Sequence, residues 1–172
     1  MILAMDIGNT NVKYGVFDGD KMIASWRVST KASRTADEYG MVLYDLLRQR
    51  GVNFEDIDAC VMSSVAPALN YTIEHMCNDY IGKSPLIVSS DTDTGITLDY
   101  AQPTQLGTDR IVGAAAAYAI YGGPVIVVDF GSATTFNLVT KDGKFIGGAI
   151  APGIKTATES LVTTAAKLPR IE

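Results

Sequence analysis

The chain has 172 residues, with 14 basic and 19 acidic side chains, a net charge of −5, and 47% hydrophobic against 19% charged residues. That is the composition of a globular chain able to bury a core in one large or two small domains, and it excludes disordered, collagen-like and disulfide-scaffold classes. The negative balance argues against non-specific binding to nucleic acid or anionic membrane, and no apolar run approaches the roughly 18 residues that span a bilayer. Two cysteines, Cys60 and Cys77, form no framework and suit a reducing cytosol, and a start that meets Asp6 with no basic stretch is unlike a signal peptide. The expectation is a cytoplasmic protein whose partners are small molecules or proteins.

Taken along the chain, Met1–Asp6 is a short apolar run that reads as a strand, Val12–Phe17 as a second, and Met22–Val28, after the turn Asp18-Gly19-Asp20, as a third. Thr35-Ala-Asp-Glu38 has the form of a capping box, with Thr35 as N-cap. It predicts a helix to about Arg50, with Met41, Leu43, Tyr44, Leu46 and Leu47 on the apolar face and Gly51 as the stop signal. Ala59–Met62 predicts a buried strand running into Ser63 and Ser64, Pro67 suits the first turn of a helix over Ala68–Ile81, and Leu86–Val88 is another short strand. Strand and helix alternate here, which favours a mostly parallel sheet covered by helices. Thr92–Gln105 is polar and turn-rich and reads as a loop. An Ala-rich helix follows over Thr108–Tyr121, its alanines predicting close packing against a neighbour, then a β-branched strand over Pro124–Asp129 and a last helix over Ile154–Ala166.

An offset of 123 positions lays DIGNTNVKYGVFDGDKMI over DFGSATTFNLVTKDGKFI without a gap, matching Asp6 to Asp129, Gly8 to Gly131, Val16 to Val139, Lys21 to Lys144 and Ile23 to Ile146. Both copies read apolar strand, Asp-x-Gly, second strand, Asp/Gly turn, third strand, which predicts an internal duplication with the two Asp-x-Gly turns facing across a cleft. One Asp-Gly pair is ordinarily just a turn. Asp6 and Asp129, however, follow buried-type strands, where open α/β sheets bind ligands, and the glycine lets backbone N–H groups approach a phosphate. Asp6 offers a hard oxygen for Mg²⁺, so the pair of turns points to a nucleotide and to phosphoryl transfer. P-loop, dinucleotide-binding and serine-hydrolase motifs are absent, and the single histidine, His75, falls mid-helix and reads as structural. Gly107-Thr108-Asp109-Arg110 joins a loop to a helix start. It could be a cap, or Asp109 could take a proton from a substrate hydroxyl while Arg110 forks onto an anion, with Tyr100 nearby. Gly147-Gly148 and Ala151-Pro152-Gly153 suit either a tight turn or close backbone approach to a ligand.

Together, DIGNT with Lys13 and Gly15, SSVAP at 63–67, GTDR at 107–110, DFGSATT at 129–135 and GGAIAPG at 147–153 resemble the type III pantothenate kinases, of the acetate and sugar kinase/Hsp70/actin superfold. The resemblance runs over essentially the whole chain. It implies an α/β fold of duplicated ribonuclease-H-like (actin-like ATPase) domains, with mixed sheets flanked by helices. Residues 1–110 would form the first domain with the ATP phosphate loop, and 111–172 the start of a second. Family members continue beyond Glu172, so the second domain would be incomplete, with an unpaired sheet edge and exposed apolar surface. The implied activity is ATP-dependent phosphorylation of pantothenate to 4′-phosphopantothenate, the first step of coenzyme A synthesis, in a cytoplasmic homodimer using Mg²⁺ with ATP and K⁺ or NH₄⁺, without nucleic-acid or membrane partners.

By position, the resemblance assigns Asp6, Gly8, Asn9, Thr10, Asn11 and Lys13 to ATP phosphate binding, with Asp6 also near Mg²⁺, directly or through water. Ser132 occupies a phosphate-contact position where Thr is commoner. Asp109 would accept the pantothenate hydroxyl proton, with Tyr100, Gly107, Thr108 and Arg110 around that substrate, and Asp129 would bind the monovalent cation. The residues themselves reach phosphoryl transfer from ATP. A non-catalytic regulatory protein on the same fold, or a kinase for another small hydroxy compound, are the alternatives.

Overall fold

In the computed structural model, which describes residues 1–164, the opening apolar run is β1 (Ile2–Ile7), followed by β2 (Asn11–Asp18) and β3 (Lys21–Ser29) in an antiparallel meander. On the other side of β1, β4 (Ala59–Ser64) and the two-residue β5 (Leu86–Ile87) add in parallel, giving the order β3-β2-β1-β4-β5. The sheet is mixed rather than mostly parallel, because connections of hairpin length can only reverse the chain. Alternation puts Leu3, Met5 and Ile7 of β1 and Val12, Tyr14 and Val16 of β2 on one buried face. Two helices cover it: α1 (Ala36–Arg48) with Tyr39, Leu43 and Leu47, and α2 (Pro67–Met76) with Leu69, Ile73 and Met76.

The capping box forms as read, with the Glu38 N–H donating to Thr35 Oγ1 at 3.3 Å and the Thr35 N–H to Glu38 Oε2 at 2.8 Å. The predicted apolar face of α1 needs one correction. Met41 is exposed, Tyr44 and Leu46 are half-buried, and Tyr39 is the residue one turn before Leu43 that enters the core. The helix predicted to Ile81 changes character at Cys77, where a wider π-turn over Cys77–Ile81 carries both end residues into the core.

These elements, with Gly107–Asp109, make one compact unit (Met1–Asp91), and Thr92–Leu106 with Arg110 onward makes a second. The second sheet has the order β6-β9-β8-β7, from β6 (Thr97–Leu98), β7 (Val125–Phe130), β8 (Ala133–Val139) and β9 (Lys144–Pro152). The segment read as a loop over Thr92–Gln105 therefore contains a strand and a 3₁₀ turn at Pro103–Gln105. β6 pairs in parallel with β9, and Thr92–Leu106 groups with the second unit. Helix α3 (Thr108–Tyr121) contributes Ile111 and Ala114 to a small core with Leu106, Val139 and Phe145. Its packed stripe is narrow: Ala116 and Ala119 are exposed, against the prediction of close packing. α4 (Ile154–Thr164) is the described part of the last predicted helix, and the rest of that prediction lies outside the described residues.

The strand pairing reproduces the duplication. Shifted by 123, β1 falls on β7 and β3 on β9 end for end. The middle strands differ by one: Asp6 pairs with Lys13, while Asp129 pairs with Thr135, an offset of 122. Val16 thus corresponds to Leu138 and not to Val139. The buried face of β1 maps onto Ile126, Val128 and Phe130 of β7, which are exposed, and among the described residues β7 is an edge strand paired only with β8.

Candidate active site

Asp6 lies at the C-terminal end of β1 on the face opposite the core, directly across from Lys13, and Lys13 Nζ donates to Asp6 Oδ2 at 2.9 Å. Both side chains are partly exposed, so the pair contributes little to stability and mainly fixes where a cation sits. Between them runs the turn from Gly8 to Asn11, closed by the Gly8 N–H on the Asn11 carbonyl at 3.0 Å. Thr30, at the end of β3, braces it twice: its N–H donates to the Thr10 carbonyl at 2.9 Å and its Oγ1 to the Gly8 carbonyl at 2.6 Å. Three carbonyls of the turn are thereby tied inward. The turn carries the side chains of Asn9, Thr10 and Asn11, with Lys13 two residues beyond it on β2.

The neighbouring strand end carries the next group. In the parallel register Asp6 pairs with Ser63 and Ile7 with Ser64. Ser63 Oγ donates to Thr108 Oγ1 at 3.0 Å, and Ser64 Oγ donates to Asn70 Oδ1 at 2.6 Å. The structure thus brings Gly107, Thr108 and half-buried Asp109 to the same end of the parallel pair β1/β4 that carries Asp6, the end at which open α/β sheets place their chemistry. Gly107 leaves the carboxylate beside it its place, since a Cβ there would lie 2.5 Å from Asp109 Oδ1.

In the second unit Arg110 and Tyr100 meet on Phe145. Arg110 Cζ lies 5.7 Å from the Phe145 ring centroid and Nε donates to Asn137 Oδ1 at 2.6 Å, while the Tyr100 ring meets the same ring edge-on at 6.3 Å between centroids. Asp129, the penultimate residue of β7, is exposed, with uncharged Thr135 across from it. Ser132 sits in a turn one residue tighter than its counterpart, closed by the Gly131 N–H on the Ala133 carbonyl at 3.0 Å. The Gly153 N–H donates to the Ser132 carbonyl at 3.2 Å, and a Cβ on Gly153 would lie 2.5 Å from the carbonyl oxygens of both Gly131 and Ser132, so close backbone approach is what this glycine provides.

The family model for type III pantothenate kinase matches residues 2–172. The chain belongs to the type III pantothenate kinase family. This family phosphorylates pantothenate with ATP and a divalent metal ion, at the entry to coenzyme A biosynthesis. A type III pantothenate kinase of Brevibacillus brevis is 49% identical over 172 residues, which are 100% of this chain and 68% of that relative. Among solved structures, a conserved Campylobacter jejuni protein described as a Baf family transcriptional activator superposes with a TM-score of 0.54 at 22% identity, over 97% of this chain and 62% of its own. The ethanolamine utilization protein EutJ from Carboxydothermus hydrogenoformans gives 0.54 at 16% identity, over 98% and 57%. The chain spans less than two thirds of either solved chain. At these identities the two structures speak for the fold alone, an α/β class whose two sheets, as described above, are mixed and flanked by helices.

Residues beyond the sequence motifs emerge from pairing alone. Thr30, Asn137 and Phe145 carry no local signature: the first is found by its bonds to the turn, the others by the β8/β9 register that sets them beside Arg110. Among the described residues no three His, Cys, Asp or Glu side chains group to hold a metal ion. No described helix is long and apolar enough to cross a membrane.

Proposed function

We propose that the protein transfers the γ-phosphoryl group of ATP to the hydroxyl of pantothenate, giving ADP and 4′-phosphopantothenate, with the roles distributed as follows. The Gly8–Asn11 turn with Asn9, Thr10 and Asn11, the Lys13 ammonium and Ser132 hold the nucleotide phosphates. Asp109 accepts the proton of the pantothenate hydroxyl as its oxygen bonds to the γ-phosphorus and the bond to ADP breaks. Gly107 leaves room for that carboxylate, while Arg110 and Tyr100 contact pantothenate. Mg²⁺ near Asp6 supplies charge neutralisation of the phosphates when bound, and K⁺ or NH₄⁺ sits at Asp129, whose carboxylate faces an uncharged hydroxyl residue. A cytoplasmic homodimer completes the proposal.

The observation that carries it is the shared strand end: the Asp6–Lys13 pair and Asp109 are linked through adjacent residues of β1 and β4 by the Ser63–Thr108 bond. Positioning and charge neutralisation are most of what phosphoryl transfer asks of a protein. The test is ADP release from Mg·ATP with and without pantothenate, at high and low K⁺. Pantothenate- and K⁺-dependent release in the full chain, abolished by Asp109→Asn with ATP binding retained, is the expected result. Undiminished turnover in that variant would remove Asp109 as the proton acceptor.

A further inference from the structure

The hydroxyl of Thr108 is engaged entirely within the first unit. Oγ1 accepts from Ser63 Oγ at 3.0 Å and from the Ser64 N–H at 3.0 Å, and donates to the Ser64 carbonyl at 3.0 Å. A hydroxyl has one proton and two lone pairs, so these three bonds fill it. The partners have a structural logic. β5 pairs with β4 only at Val61 and Met62, and the Val88 N–H closes on Met62. One step further along that edge, the N–H and carbonyl of Ser64 would need a strand that is no longer there, and backbone polar groups away from water require partners. Thr108 takes the place of the strand with a single oxygen atom.

We infer that Thr108 is a positioning residue that anchors the first turn of α3 to the tip of β4 and so fixes the Asp109 carboxylate, rather than a contact to pantothenate. Buried Ser63 is part of the same anchor. Because Ser63 is the register partner of Asp6, the anchor ties the proton acceptor to the strand that carries the phosphate turn. The catalytic consequence rests on the reading of Asp109 given above, whereas the anchor itself does not.

The two roles for Thr108 separate in kinetics of the full chain. A positioning role predicts that Thr108→Val lowers kcat by about 30-fold or more while the KM for pantothenate stays within about 3-fold, since misplacement of a reacting group acts on the transition state. Thr108→Ser, which keeps the oxygen, should recover most of the turnover. Ser63→Ala should lower kcat by a smaller factor, and the double variant should be no slower than Thr108→Val, because residues sharing one network are not additive. A tenfold rise in pantothenate KM at unchanged kcat in Thr108→Val, or a silent Ser63→Ala, would overturn the inference. If Thr108→Val does not fold, Ser63→Ala and Thr108→Ser carry the comparison. Independently of turnover, Ser64 amide exchange should be about tenfold or more faster than in the parent in Thr108→Val, which removes the acceptor, and unchanged in Thr108→Ser, which keeps it. Equal protection in Val and parent would refute the anchor even if the protein proved not to be a kinase for pantothenate, and loss of all pantothenate-dependent ADP release in the parent would refute the kinase reading while leaving the exchange result standing.

Discussion

Replacing Gly107 with alanine places a methyl carbon 2.5 Å from Asp109 Oδ1 and 3.5 Å from Val65 Cγ1. The second contact is ordinary van der Waals packing. The first falls about 0.9 Å short of the 3.4 Å at which such contact begins, and the atom that must yield is the tip of a side chain rather than backbone. The fold should therefore accommodate Gly107→Ala. Its backbone is outside the left-handed region, and loss of glycine's freedom in the unfolded chain offsets part of any strain, by about 0.4–1 kcal/mol. The carboxylate, by contrast, must shift by nearly an ångström, and displacements of that size cost about 100-fold in rate, or about 2.7 kcal/mol of transition-state stabilisation. Thermal melting and pantothenate-dependent ADP release on the same preparation read the two effects separately. A melting midpoint within a few degrees of the parent with a kcat near 1% of it is the expected outcome. A kcat within about threefold of the parent would show that the carboxylate position set by Gly107 is not the one that works.

Thr35→Ala removes the N-cap bond of α1 and should lower stability by about 1 kcal/mol, seen as a drop of about 2–4 °C in the melting midpoint; an unchanged midpoint would show the cap contributes nothing. Asp129→Ala should flatten the response of turnover to K⁺, and activity that still rises with K⁺ as in the parent would place the cation elsewhere. The hydroxyl of Thr140, 2.6 Å from Asp142 Oδ1, is the chief cause holding that carboxyl below its ordinary range, with the backbone and Lys144 adding to it. A carboxyl depressed in the folded state stabilises the fold above its unfolded-state value and loses that contribution as pH falls through the lowered one. Thr140→Val should move the Asp142 carboxyl upward in an NMR titration, and an unmoved titration would exclude the hydroxyl as the cause.

What could be read in the sequence was whatever depends on near neighbours. The capping box at Thr35, the strands flanking both Asp-x-Gly turns and the helix from Thr108 to Tyr121 are local patterns, and they stand where they were expected. Where the reading failed, a distant partner decides. Thr97 and Leu98 form a strand only because Lys144 and Phe145 offer an edge, and on α1 it is Tyr39, in line with Leu43 and Leu47, rather than Met41 that joins the core. The same holds at the site: Asp6, Lys13, Asp109 and Arg110 stand in motifs, but the bonds from Thr30, Ser63 and Asn137 that hold the motifs in place span 22 to 45 residues of chain.

The one-residue difference between the duplicated meanders behaves like a pair of compensating frameshifts. The ligand-side turn of the second copy is one residue shorter and its far hairpin turn one longer, so β8 alone is out of step and β9 returns to parity with β3. In a strand, a slip of one residue exchanges the two faces. Here it sets Thr135, where the simple count would set Phe136, opposite Asp129. At the first turn the carboxylate faces an ammonium across the ladder, and at the second it faces a neutral hydroxyl. The repair one strand later confines the change to the middle strand, so the outer strands of both copies keep the same register.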